Sequence, residues 1–502
     1  MVAVWETWTA TSAVKTAKVT VGGATRFTIA ANTTTPAPSG SVNLTITARD
    51  QSGSAVTTYT GSHSLVFAGA SASPSGTKPT VANSSGTAVA FGTATALNFT
   101  AGVASVSSSR NGLMKLYRSG PTEVSASEGD LTTPAPLLLT VGTGSASKLV
   151  LAATTTAPSA GAPNELTVTA QDTYGNAVTS YAGTKSLTFS GASASPGGNV
   201  PTVSGSGGSE VAFGTPTPLD FEAGVAGGTL ALYKSGTTSV KATDGSVTTP
   251  SALALTVAAA TASKLVLTGS TAIPVSTGSL NLTTTAQDPY ANTATAYAGS
   301  KSITFSGAGA SPSGALPTVV SSAGTATAFG TPTELNFKAG VAAVASSKNG
   351  LTRLPLAGAT SVSASDGTIS TATPLALTVS VGTATRLAIT AATPSAGILG
   401  SPCLFTCAIT GLGNGGTVTA TVSVTDNSGN TVSGLTGTHG AKVTANGGSV
   451  SGGTLTIATG GSAVSTTAFT YTAPASGSFT NTITMAKSGG TSYTSATATA
   501  TR

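Results

Sequence analysis

The chain repeats itself, and the length of the repeat bounds what it can fold into. Arg26, Lys148, Lys264 and Arg386 open four successive units, at intervals of 122, 116 and 122 residues. Each unit carries a version of one stretch, TAQDTYGNAVTSYAGTKSLTFSG at Thr169–Gly191. It recurs at Thr47–Gly69, Thr285–Gly307 and Ser423–Gly447. Leu166, Val168 and Ala170 alternate with Thr167 and Thr169, the period of a half-buried strand. Asp172 to Asn176 then read as a turn, because Asp bonds its own backbone and Gly and Asn tolerate positive φ. Leu187 and Phe189 resume the alternation. The turn aspartates are Asp50, Asp172, Asp288 and Asp426, and Tyr59, Tyr181, Tyr297 and Leu435 each follow nine positions later.

A 502-residue chain with such a period holds four units of domain size. Only 7% of its residues are charged, against roughly 25% in an average soluble protein. Disorder is excluded, since apolar residues make up 39% and recur in register. No run of about 18 apolar residues occurs, so no transmembrane helix and no membrane insertion are expected. The net charge of +6 is spread along the chain, and the largest basic group is Arg110, Lys115 and Arg118. A nucleic-acid partner would need clustered cations with interleaved aromatics, so none is expected.

The repeats divide the chain at 23–141, 142–257, 258–379 and 380–502. Repeat two is shorter because GGTLALYKSG stands where repeats one and three carry SSSRNGLMKLYRSG and ASSKNGLTRLPLAG. The missing segments, around Asn111-Gly112 and Asn349-Gly350, read as hairpin tips, where deletions are tolerated. Repeat four carries an insertion with the only cysteines, Cys403 and Cys407. Its last residues, Ala486–Arg502, align with Tyr233–Gly245, which leaves nothing to match the final strand SALALTV of repeat two.

Residues 1–22 align with the ends of the repeats, so Ala13–Val21 reads as an orphan final strand. They carry no basic n-region of a secretory signal. A repeat short of its final strand exposes a groove of unpaired backbone groups, and an orphan strand from another copy can fill it. A contact of that kind that does not close makes a fibre; the alternatives are that the sequence cuts a longer array mid-repeat, or that Thr497–Thr501 finishes repeat four by itself. The expected assembly residues are Ala13, Val14, Ala17, Val19 and Val21, with Trp5 and Trp8 as anchors on the neighbour.

Many short strands, frequent Gly, Pro and Asn turns and no helical period predict an all-β chain of tandem sandwiches. Lys148–Gly191 and Leu219–Gly245 resemble the tandem immunoglobulin-like domains of bacterial surface proteins, in the broad invasin-like class. The resemblance covers repeats one to three well and repeat four more loosely. It implies four Ig-like β-sandwiches in an elongated, extracellular, cell-surface array.

Enzyme chemistry is poorly supplied. His63 and His439 share one repeat position with Lys185 and Lys301, so they read as a solvated strand entrance, and no catalytic residue is expected. The turn aspartates lack the several carboxylates that calcium takes, so they read as Asx-turns with no metal or other cofactor. Cys403 and Cys407 lack further ligands and read as a local disulfide in an oxidising compartment. Asn32, Asn43, Asn83, Asn98 and Asn281 head glycosylation sequons. The expected function is a non-enzymatic fibre subunit assembled head-to-tail with copies of itself. The alternatives are a stalk or adhesin whose repeat four meets a host-cell or glycan surface, and a virion fibre or decoration protein.

Overall fold

The computed structural model describes residues 22–501 apart from 274, 275, 277, 396, 397, 400–405, 434–438, 453, 458–465, 479 and 490–495. The orphan strand, with Trp5, Trp8, Ala13, Val14, Ala17, Val19 and Val21, lies outside the described residues, as does Cys403. No helix among the described residues is long and apolar enough to cross a membrane.

Repeat two shows how the sequence makes a sandwich. Pro163–Gln171 alternates exposed and buried positions along its length. Its buried face, with Leu166, Val168 and Ala170, looks across at Leu187 and Phe189 of Gly183–Ser190. Lys148–Ala153, Pro163–Gln171, Val225–Ala231, Thr202–Ser204 and Glu210–Ala212 form one sheet in that spatial order. Pro216–Phe221, Gly183–Ser190, Gly236–Thr243 and Leu253–Val257 form the other. After the first strand the chain crosses to the second sheet and runs beside its last strand. There Thr256 N–H bonds Thr156 O at 2.8 Å and Ala258 N–H bonds Pro158 O at 2.9 Å. This exchange of sheets, with antiparallel pairing elsewhere, is an Ig-like arrangement.

Repeats one and three repeat this plan around their own cores, centred on Phe67 and Leu97 and on Phe305 and Leu335. In both, the strand corresponding to Val225–Ala231 is broken in two by the tip. In repeat one the halves are Val103–Ser105 and Leu113–Lys115. Asn111 sits in the tip at φ 61°, a conformation Asn tolerates better than most residues.

Repeat four corrects one expectation. Its last strand is present: Ala496–Thr501 pairs antiparallel with Thr480–Gly489 and parallel with Thr406–Thr410. The parallel pair matches Ala272–Ile273 beside Leu375–Val379 in repeat three. Thr480–Gly489 is thus the counterpart of Gly236–Thr243, and the expected alignment of Ala486–Arg502 was displaced by one strand. The cause is composition, because runs of Thr, Ser and Ala align almost equally well in several registers. The insertion contributes Ile398–Leu399 and Thr406–Thr410, the latter containing Cys407.

Candidate functional site

The turn aspartates organise the contacts between repeats. In repeat two, the Asp172 Oδ1 atom accepts from the N–H groups of Tyr174 and Asn176, each at 2.9 Å. That is the Asx-turn expected from sequence. Gly175 sits at φ +82°, and a Cβ there would press on Pro74 and Ser75 of repeat one. The Asp172 Oδ2 atom accepts from the linker Gly144 N–H at 3.1 Å and from the Asn176 amide at 2.9 Å.

Asn176 completes the contact. Its carboxamide donates to Tyr117 O at 2.8 Å and accepts from Ser119 N–H at 2.9 Å, both in repeat one. One side chain thus pairs with the preceding repeat as a strand residue would. Asp172 and Asn176 are 1% and 2% exposed, so both are removed from water at the junction. The Tyr117 and Tyr174 rings meet at 5.0 Å between centroids. Ser75 N–H of repeat one bonds Tyr174 O at 3.0 Å.

The same clasp recurs twice. Asn292 donates to Tyr233 O at 2.7 Å and accepts from Ser235 N–H at 2.9 Å. Asp288 accepts from the linker Ala260 N–H at 3.0 Å, and the Tyr233 and Tyr290 rings meet at 5.0 Å. At the third junction Asn430 donates to Pro355 O at 2.9 Å and accepts from Ala357 N–H at 3.0 Å. Asp426 accepts from Gly382 N–H at 2.9 Å and from the Ser276 hydroxyl. Burial pushes the Asp426 carboxyl up, but the hydrogen bonds from Ser276, Asn430 and Gly382 outweigh it and hold it below its ordinary value. The Asx-turn reading was correct as far as it went. The Asn four positions on, and the backbone atoms it reaches, were missed.

The two outer repeats each lack one half of this clasp among the described residues. In repeat one, Ser54 takes the place of Asn, and half-buried Asp50 is satisfied locally by Ser52 and Ser54. In repeats one to three, eleven residues separate the strand ending at Ala68, Ser190 or Ser306 from the next strand, and they include the loop that meets the following repeat. In repeat four only three residues separate His439–Ala445 from Ser449–Ser451.

The tyrosines mark a second recurring group. Tyr181 donates to Asp244 at 2.5 Å and Tyr297 to Asp366 at 2.6 Å, while Tyr59 bonds Glu128. Lys185 and Lys301 lie 5.1 and 5.0 Å from the ring centroids of Tyr181 and Tyr297. In repeat one His63 stacks on Tyr59 at 3.7 Å and bonds Glu128 at 3.1 Å. His63 stands near the start of Gly61–Ala68, half-buried, with its ring stacked and hydrogen-bonded. The side chain of His439 and residue Leu435 lie outside the description. Burial and the adjacent carboxylate together raise the three phenols above their ordinary range. Burial pushes Asp244 and Asp366 up, and hydrogen bonds from the tyrosine and nearby backbone N–H groups bring them below the ordinary carboxylate value.

Among the described residues no group of three or more His, Cys, Asp or Glu could hold a metal ion. Of the sequon residues, Asn32 accepts from Asn43 N–H at 2.7 Å, and Asn83 caps its own turn through Ser85 and Thr87. Asn43, Asn98 and Asn281 are exposed on strands.

No family model matches the chain, and no curated protein matches it significantly. It is similar to the solved structure of FdeC, an Escherichia coli adhesin, at 22% identity over 71% of this chain and 98% of that one, with a TM-score of 0.30. It is similar to invasin, described as a bacterial integrin-binding protein, at 14% identity over 95% and 79%, with a TM-score of 0.28. InvD of Yersinia pseudotuberculosis gives 15% identity over 71% and 98%, with a TM-score of 0.27.

Proposed function

We propose that the chain is a non-enzymatic surface stalk, in which clasped Ig-like repeats hold repeat four out as the recognition end. The observation that carries this is the clasp repeated at all three junctions. Each buries a carboxylate and a carboxamide whose partners sit on two repeats and the linker between them. Bending a junction would strand buried polar groups, at about 1–3 kcal/mol for each one left unpaired. A chain of such joints resists bending, which is what a spacer needs. The resemblance in sequence to bacterial Ig-like surface repeats agrees with an extracellular, cell-surface location.

Repeat four differs from the others where a following repeat would dock, since it lacks the docking loop. That difference favours recognition of a host-cell or glycan surface there over a role as one more spacer. Head-to-tail fibre formation is the second reading. It would use residues 1–22 as a donated strand, but the place that such a strand would take in repeat four is held by Ala496–Thr501. The stalk reading therefore stands ahead of it. Small-angle scattering of the full chain and of the Asn176→Ala/Asn292→Ala/Asn430→Ala variant tests the stalk. The expected result is a stiff rod that becomes flexible in the variant. Equal flexibility in both would remove the proposal.

A further inference from the structure

Repeat two contains a seat that repeats one and three fill with their own asparagine. In repeat one, Asn111 accepts from Asn98 N–H at 2.7 Å and donates to Asn98 O at 2.9 Å and Ser105 O at 3.1 Å. In repeat three, Asn349 does the same with Asn336 N–H at 2.7 Å, Asn336 O at 3.0 Å and Ala343 O at 3.1 Å. The strand registers place Asp220 where Asn98 and Asn336 stand, and Gly227 where Ser105 stands. The tip that carries the asparagine is absent from repeat two, whose strand runs unbroken over Val225–Ala231. The backbone groups of Asp220 and Gly227 thus lack the asparagine partner that their counterparts in repeats one and three have. Val225 beside them is 40% exposed, and a Cβ at Gly227 would meet nothing within 4 Å.

We propose that this seat binds a partner protein through one Asn side chain, presented on a turn of sequence basic–Asn–Gly. The carboxamide is chosen by the chain itself, which twice places that group on the same three backbone atoms. An added β-strand is disfavoured by the residues next along the edge. Pro216 and Pro218 have no N–H to offer, and Pro218 O is already taken by Ser206 N–H at 3.0 Å. A ladder therefore cannot run on along this edge past the seat. The charge around it selects the neighbour of that Asn. Asp220, Glu222 and Glu165 rim the seat in repeat two, where repeat one has Asn98, Thr100 and Asn43. A cation just before the Asn meets this acidic rim, and both internal tips have one, in Arg110-Asn111-Gly112 and Lys348-Asn349-Gly350.

The test is an NMR titration of the full chain with a synthetic peptide of residues 105–113, SVSSSRNGL. Saturable shifts at the Asp220 and Gly227 amides are expected. They should weaken about tenfold when the peptide carries Ala for Asn, the loss of roughly one to two hydrogen bonds. They should also weaken in a Glu222→Lys chain, an exposed change that leaves the fold intact. Grafting the repeat-one tip into repeat two should abolish them. No saturable shift at these two amides, or equal binding by the Ala peptide, would overturn the proposal.

Discussion

Asn430 donates its side-chain N–H to the carbonyl of Pro355, 75 positions earlier, at 2.9 Å. The bond joins two repeats, yet neither residue lies in a strand. Asn430→Ala removes it and also strands the Ala357 N–H that the same side chain accepts. The expected cost is about 1–3 kcal/mol, confined to the third junction. Repeat three should keep its own unfolding transition, while limited proteolysis should begin at the linker around Gly382. Unchanged cleavage there would mean that the clasp does not hold the junction closed.

The same junction should be acid-sensitive, and the sign follows from the carboxyl of Asp426. Its value is lowered in the folded chain by Ser276, Asn430 and Gly382 despite burial. A lowered carboxyl stabilises the fold above its unfolded pKa, and that stability is lost as pH falls through the folded value. The junction should therefore be indifferent to pH near neutrality and loosen only below the ordinary aspartate value of 3.8. Scattering at pH 7 and pH 3 measures this. Asp426→Asn should be looser at neutral pH and should lose the pH response.

Tyr181→Phe and Tyr297→Phe each delete one hydroxyl that bonds a carboxylate. Hydrogen bonds to charged groups contribute about 1.5–3 kcal/mol, and these are half-buried, so the lower end is expected. The raised phenols make the contribution complete below the unfolded tyrosine value of 10.0 and lost only as pH climbs well past it. The lowered partners Asp244 and Asp366 set the acid limit. Urea unfolding of each variant at neutral pH should show the loss, and the deficit should shrink in strong alkali.

Much of this fold is legible in sequence because period-two patterns report a buried face directly. Leu166, Val168 and Ala170 are buried as their alternation requires. The turn at Asp172 was equally plain, since Asp and Gly carry local chemistry. The clasp was not, because Asn176 reaches the carbonyl of Tyr117 and the N–H of Ser119. Backbone atoms are the same at every position, so no residue type marks them as receivers. The available signal was the recurrence of Asn at positions 176, 292 and 430, against Ser54 in repeat one. In repeat four, threonine and alanine alternate without distinctive residues, and one strand was assigned to its neighbour's place.

That last strand supplies a test of how the chain relates to its own copies. Ala496–Thr501 lies between Thr480–Gly489 and Thr406–Thr410, bonded to both. An incoming strand must displace it, and displacement exchanges one set of backbone bonds for an equivalent set with no net gain. Intact chains should therefore remain single in electron micrographs, with or without residues 1–22. Removing residues 496–502 changes the balance, because two strand edges lose their partner at once. Repeat four should then become unstable alone and recover when a peptide of residues 8–22 is added, if that segment pairs as a final strand. Fibres from the intact chain that vanish on deleting residues 1–22 would show instead that the donated strand outcompetes the resident one.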